Sequence, residues 1–153
     1  MIKLLVVDDS AFMRMAIAKM LENDPQIEVV GEANNGEVAV QMAERLRPNV
    51  ITMDVEMPVV NGIQAVQRIM KSVPCPIIMV SSLTTKSAEV TIKALEMGAV
   101  DFIAKSSSFV QLDIAKIEKE LQEKIYYWAK HPLQQRLART KRSSPLRSTP
   151  AVS

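Results

Sequence analysis

Ile2-Lys3-Leu4-Leu5-Val6-Val7-Asp8-Asp9-Ser10 is a short run of β-favouring apolar residues that stops on two acids. Ser10 then stands as an N-cap before a helical pattern, with Phe12, Met13, Ile17, Met20 and Leu21 at spacings near three and four, ended by Asp24-Pro25. The same order repeats down the chain. Residues 27–33 read as a second strand with Val29 and Val30 at its centre. The turn signal Asn34-Asn35-Gly36 follows, then a helix over 37–46 that turns Val38, Val40, Met42, Ala43 and Leu46 mostly inward. Residues 50–53 form a third strand that runs into Asp54, followed by Pro58, Asn61-Gly62 and a helix over 63–70. Residues 77–80 form a fourth strand, ending in Ser81-Ser82, and a helix over 88–97 stops at Gly98. Residues 100–104 form a fifth, ending in Lys105. A last helix is predicted over about 110–130, where Ile114, Ile117, Leu121, Ile125 and Trp128 make one apolar stripe, until Pro132 breaks it.

Five strands that are continuous apolar runs, each followed by a helix, are the mark of parallel strands buried on both faces. The pattern predicts an α/β fold, a doubly wound five-stranded parallel sheet flanked by helices, with right-handed crossovers.

Composition agrees with one soluble domain and a remainder. The chain has 153 residues, 48% of them apolar and 24% charged, which excludes a wholly disordered, collagen-like or disulfide-scaffold chain. The net charge of +2 hides a division. Residues 1–129 carry 13 Lys and Arg against 17 Asp and Glu, a net of −4, and residues 130–153 carry six basic residues and no acid. Residues 1–130 are predicted to be the domain, and 131–153 a basic, Ser/Pro-rich linker or disordered tail. That tail has no helix-turn-helix pattern and no interleaved aromatics, so sequence-specific DNA binding is not expected. Tyr126-Tyr127-Trp128 are expected to pack on the domain or on a partner helix.

Other chemistries have little to work with. Cys75 is the only cysteine, which excludes an intrachain disulfide and a cysteine-based zinc site; it reads as a small packing residue between two prolines. His131, the only histidine, lies in the basic segment and reads as solvated, so a Ser-His-Asp or Cys-His hydrolase is not expected. Asp8-Asp9 interrupts the first apolar run too early for a signal peptide, and no run approaches the length of a membrane span. A cytoplasmic protein is expected, with no membrane partner.

The informative residues sit at the strand ends. In a doubly wound sheet ligands bind beyond the carboxyl ends of the strands. Strands one, three, four and five deliver Asp8-Asp9, Asp54, Ser81 and Lys105 to that rim. Clustered carboxylates repel one another unless a proton or a divalent cation intervenes. Acid oxygens with a backbone carbonyl and waters suit Mg²⁺. One carboxylate can then act as a nucleophile toward phosphorus, while metal, ammonium and hydroxyl share the charge on the phosphoryl oxygens.

These residues resemble the quintet of the bacterial response-regulator receiver domain, and 54–62 (DVEMPVVNG) are similar to its acceptor-loop signature. Residues 7–14 (VDDSAFMR), 79–84 (MVSSLT) and 98–105 (GAVDFIAK) resemble the receiver half of the chemotaxis protein-glutamate methylesterase. The resemblance covers roughly 1–125 and implies a flavodoxin-like strand order of 2-1-3-4-5. It implies a phosphoacceptor role for Asp54, supplied by a histidine kinase of chemotaxis type, and Mg²⁺ held by Asp8, Asp9, Asp54 and the backbone carbonyl of Glu56. It implies that Ser81 and Lys105 stabilise the phosphoryl group, and that Ser81 and Phe102 form the conformational switch that a downstream effector or a linked esterase domain reads. Phe102 has no phenolic hydroxyl, so no outward hydrogen bond helps set the two states of that switch.

Two departures follow. Ser106 stands where the family usually has a proline with a cis bond, and a cis non-proline bond costs about 3 kcal/mol. Either a trans bond with a shifted loop or a cis bond held by local contacts is expected there. Glu56 adds a carboxylate beside the acceptor that bears on metal binding or on the lifetime of phosphoaspartate. Nothing in the chain resembles the esterase, so the resemblance leaves a stand-alone receiver or the receiver fragment of a two-domain methylesterase. In either case the chain is no enzyme beyond its own phosphorylation and dephosphorylation. An aspartate-nucleophile phosphatase is a competing class, but it wants Asp-x-Asp after the first strand, where this chain has adjacent acids. An interaction protein with a decayed site is the third, favoured only by the missing proline.

Overall fold

The computed structural model describes residues 1–55, 57, 61–82, 84–105 and 114–131. Its elements are β1 (Ile2–Val7), α1 (Ala11–Leu21), β2 (Ile27–Ala33), α2 (Gly36–Leu46), β3 (Val50–Asp54), α3 (Gly62–Ser72), β4 (Ile77–Ser82), α4 (Thr85–Glu96), β5 (Asp101–Lys105) and α5 (Ile114–Ala129). All strand pairs are parallel, and the sheet runs β2-β1-β3-β4-β5. The expected doubly wound α/β fold and its strand order are therefore present.

Alternation along each strand divides the core in two. Leu5, Val7, Ile51, Met53, Ile77 and Met79 face the side covered by α2, α3 and α4. Leu4, Val6, Val50, Ile78 and Ile103 face the side covered by α1 and α5, where Ile117, Leu121 and Ile125 supply the predicted stripe. Side chains of a strand point to opposite faces in turn, so a run apolar at every position needs cover on both. β2 lies at the sheet edge and is covered less well: Val29 and Val30 are only half-buried. Phe12, part of the apolar pattern of α1, is 59% exposed.

Helix boundaries follow their caps. Ser10 Oγ accepts the Met13 N–H at 3.2 Å, as predicted. α4 begins at Thr85, three residues earlier than the apolar pattern predicts, because Thr84 Oγ1 accepts the Ser87 N–H at 3.1 Å and starts the helix on polar residues. Gly98, at φ +128°, follows its end. The start of the last helix, 110–113, Pro132 and the tail 132–153 lie outside the described residues. Cys75 is buried and its thiol is pushed up to about 12 by that burial, in keeping with a packing role.

Thr52 is a polar exception in the middle of β3, between Val6 and Ile78 of the neighbouring strands. It is 1% exposed, and its hydroxyl has no hydrogen-bond partner among the described residues. A buried hydroxyl left unpaired is destabilising, whereas an apolar group of the same shape is not. Thr52→Val is therefore expected to raise the free energy of unfolding by about 1 kcal/mol in urea titration. A loss of that size would mean that the hydroxyl is satisfied.

Candidate functional site

Strand order reverses between β1 and β3, and the crevice beyond their carboxyl ends is where such a sheet leaves room for a ligand. Asp8 follows β1 and is 1% exposed; Asp54 ends β3 and is 4% exposed; Asp9 is exposed at the rim. One carboxylate oxygen from each lies within 4.8 Å of the others. Three acids at that range, two of them buried, carry a charge density that favours a shared cation or proton. The donor set is all carboxylate oxygen, which suits a hard divalent ion and fits no thiolate or imidazole metal site.

The turn that carries the first two acids is pinned from several directions. Asp8 donates its N–H to the Ala33 carbonyl at 3.0 Å, and its Oδ1 accepts the Ser10 N–H at 2.9 Å. Arg14 Nη1 reaches back from α1 to the Asp8 carbonyl at 2.7 Å, and its Nε pairs with Glu32 of β2 at 3.2 Å. In the sequence Arg14 stands out only as the end of the 7–14 motif. In the fold its guanidinium ties β1, α1 and β2 together directly behind the acids.

Asp54 is set by the sheet and by the start of α3. The following N–H, of Val55, still bonds to β4 through the Val80 carbonyl at 3.1 Å. Asn61 and Gln64 form a reciprocal capping box that fixes where α3 starts. Gly62 is the point of closest approach. A Cβ there would stand 3.1 Å from the carbonyl oxygens of both Asp54 and Val55 and 3.1 Å from Met79 Cε. Two of those three contacts are backbone and cannot yield like a side-chain end. Gly62→Ala is expected to cost about 1–3 kcal/mol of stability and to slow any reaction at Asp54, because α3 or the end of β3 must shift. Equal stability and equal reactivity would show that the approach does not matter.

Ser81 ends up buried at the tip of β4, and its hydroxyl turns toward α4. It donates to the Ser82 carbonyl at 3.1 Å, with the Ser87 carbonyl at 3.4 Å as a weaker alternative. Around it lies a cluster of hydroxyls: Ser82 Oγ donates to Ser87 Oγ at 2.7 Å, and Thr91 Oγ1 donates to the Ser87 carbonyl at 2.7 Å. Nothing in the sequence pattern marks Ser87 and Thr91. They stand four apart on α4, a spacing that only shows its use once that face is seen against β4.

Phe102 is 47% exposed, with its ring outward from β5. Between α4 and β5 lies a cleft of about 310 Å³ bounded by Ser81, Ala88, Thr91, Phe102 and Ala104. A second cleft, of about 390 Å³, opens beside Asp9 and is lined by Asp9, Met57, Asn61 and Lys86. Lys105 is the last residue of β5, paired in register with Ser82, so its backbone stands at the same rim. The Lys105 side chain, Glu56 and the bond to Ser106 lie outside the described residues.

The structure thus brings Asp8, Asp9 and Asp54 together, with Ser81 at the neighbouring strand tip. Comparison with known proteins fits this arrangement. The family model for the response regulator receiver domain matches residues 4–116. Protein-glutamate methylesterase/protein-glutamine glutaminase 1 of Oleidesulfovibrio alaskensis is 56% identical over 125 residues, which are 82% of this chain and 34% of that protein. Protein-glutamate methylesterase/protein-glutamine glutaminase 2 of Nitratidesulfovibrio vulgaris is 50% identical over 152 residues, 99% of this chain and 40% of that protein. The chain therefore spans well under half the length of these relatives. Among solved structures, the response regulator domain of Thermotoga maritima CheB matches with a TM-score of 0.76 and 50% identity, over 84% of this chain and 96% of that one.

Proposed function

This chain belongs to the response regulator receiver domain family, in the branch found in chemotaxis methylesterases, and we propose that it accepts a phosphoryl group on Asp54 from a histidine kinase of chemotaxis type and switches conformation in response. The observation that carries the reading is the cluster of Asp8, Asp9 and Asp54 at the switch point of the sheet, with the Asp54 carboxylate on the end of a buried strand. We further propose that Asp8, Asp9, Asp54 and the Glu56 carbonyl hold Mg²⁺. Bound there, Mg²⁺ supplies positive charge that neutralises the acids and the incoming phosphoryl oxygens.

Every other part of the reaction belongs to the protein. An Asp54 carboxylate oxygen attacks phosphorus in line; the N–P bond of the donor phosphohistidine breaks, and its electron pair leaves with the imidazole. Asp54 is positioned rather than activated, because phosphoryl transfer needs mainly alignment and charge stabilisation. Lys105 pairs with the phosphoryl oxygens. Ser81 turns from α4 toward the same oxygens and exchanges a backbone acceptor for a charged one, a stronger bond. Its departure gives up the bond to the Ser82 carbonyl, while the Ser87 carbonyl in α4 keeps the Thr91 hydroxyl as donor. The cleft beside Ser81 then receives Phe102, and the outward and inward states differ at the face formed by α4, β5 and α5.

The stretch shared with the CheB response regulator domain is the receiver itself, so the esterase named for the longer relatives is not assigned to these residues. We place the chain as the receiver portion of such a methylesterase, the reading favoured by identities near 50% to its receiver half. No helix among the described residues is long and apolar enough to cross a membrane, and we propose a cytoplasmic setting.

Incubation with Mg²⁺ and phosphoramidate or acetyl phosphate tests the function. Uptake of one phosphoryl group per chain supports it. Absence of labelling with both donors favours a decayed site, and steady turnover of a generic phosphate ester favours a phosphatase.

A further inference from the structure

A lysine on α5 lies against the outward ring of Phe102. Lys124 Nζ is 5.5 Å from the Phe102 ring centroid. The ammonium is not placed there by the ring. It donates to the Phe102 carbonyl at 2.6 Å and to Asp101 Oδ1 at 3.0 Å, with Glu120 Oε2 at 3.4 Å. Asp101 is itself fixed, since Trp128 Nε1 donates to its Oδ2 at 3.1 Å and the Phe102 N–H to its Oδ1 at 2.8 Å. Burial alone would raise the Asp101 carboxyl, but the hydrogen bonds from Trp128, Lys124 and Phe102 outweigh it and keep the group below the usual carboxylate range. The anchor is therefore an anion at neutral pH.

We infer that Lys124 is a positioning residue for the switch: held by Asp101 and the Phe102 carbonyl, its ammonium retains the Phe102 ring in the outward state through a cation–π contact. The inference rests on the reading of Phe102 as the switch aromatic. A ligand or contact shifts a two-state equilibrium only through what it does differently in the two states. The hydrogen bonds of Lys124 go to the backbone and to Asp101, so they persist in both states. Only the contact with the ring is lost when Phe102 turns inward. The ammonium thus supplies the outward restraint that a tyrosine hydroxyl would give and that phenylalanine cannot. Trp128 holds Asp101 from the last turn of α5. The latch therefore links the switch to the end of the helix from which the chain continues toward Pro132.

The contact is partly exposed, a setting in which a cation–π pair shifts an equilibrium about two- to fivefold. The chain has three phenylalanines, Phe12, Phe102 and Phe109. Fluorophenylalanine labelling gives three ¹⁹F resonances, and the one lost in Phe102→Leu identifies the switch ring. In Lys124→Met, which keeps the stem and removes the charge, the H₂O/D₂O isotope shift of that resonance is expected to fall as the ring spends more time buried. Lys124→Arg keeps the wild-type value. By reciprocity, beryllium fluoride, a phosphoryl analogue taken up with Mg²⁺, should bind about two- to fivefold more tightly to Lys124→Met, and this gain should vanish in the Phe102→Leu background. Lys124→Gln, which retains a donor for the Phe102 carbonyl, gives the same readings without depending on the tolerance of α5 for methionine. An unchanged Phe102 resonance in both neutral variants overturns the latch, as does a gain that survives Phe102→Leu. Failure of the wild type to accept phosphoryl groups is a separate outcome: it overturns the phosphoacceptor reading, while the ¹⁹F measurement still decides whether Lys124 holds the ring.

Discussion

Asp54→Asn is expected to abolish phosphoryl labelling while leaving the chain folded. The substitution is nearly isosteric, and the main-chain bond that sets the end of β3, from Val55 to Val80, is untouched. What changes is the nucleophile. A neutral amide offers no carboxylate oxygen to phosphorus, so the route to an acyl phosphate is gone rather than slowed, and labelling should fall by more than about 10³-fold. Asp8 is buried and engaged by Ser10, and Asp9 lies exposed at the rim, so neither is placed on the end of a sheet strand as Asp54 is. Removing one of three neighbouring negative charges also relieves repulsion, and the variant should unfold at a higher temperature than the wild type in metal-free buffer. Labelling of Asp54→Asn at the wild-type level, read by intact mass after reaction with phosphoramidate, would defeat the assignment.

The second large effect is the dependence on a divalent cation. Oxygens of Asp8, Asp9 and Asp54 lie within 4.8 Å of one another, and an incoming phosphoryl group adds further negative charge at the same place. Without a cation the transfer must proceed against that field, which is worth several kcal/mol, or about 10²-fold or more in rate. Chelation should therefore reduce labelling of the wild type by at least that factor, and Mg²⁺ should restore it. The same ion binds the folded chain only, so Mg²⁺ should raise the thermal midpoint in a concentration-dependent way. Asp9→Asn removes one proposed ligand while leaving the buried pair, and it should weaken both responses together: less stabilisation by Mg²⁺ and slower labelling. If Mg²⁺ leaves the midpoint of the wild type unmoved and EDTA leaves labelling intact, the acid cluster is not a metal site.

Much of this site is legible in the sequence alone. The strands can be read because a segment buried on both faces must be apolar at almost every position, and that pattern is local. The acids can be read for the opposite reason: charges directly after an apolar run mark where each strand leaves the core, and in a parallel sheet those exits share one rim. Asp8, Asp9, Asp54 and Ser81 stand there as expected. Helix starts are less legible where a polar cap replaces an apolar signal, and α4 begins three residues earlier than its hydrophobic pattern for that reason. Phe12 fits the helical period of α1 yet stays in solvent, because periodicity names a stripe and not its width.

The side chains behind the acids are hidden in another way. Arg14 reaches the Asp8 carbonyl through space, Ser87 and Thr91 receive and support the Ser81 hydroxyl from a helix face, and Lys124 meets Phe102 across 22 residues of chain. No local pattern encodes such pairs, since each exists only when two elements are packed at one distance and one angle. The sequence by itself determined the alternation of strands and helices and the acidic rim, because burial and its interruption are written at short range. Only the tertiary structure decided which way Ser81 and Phe102 point and what holds them there, because a rotamer is chosen by neighbours that the chain brings from far away.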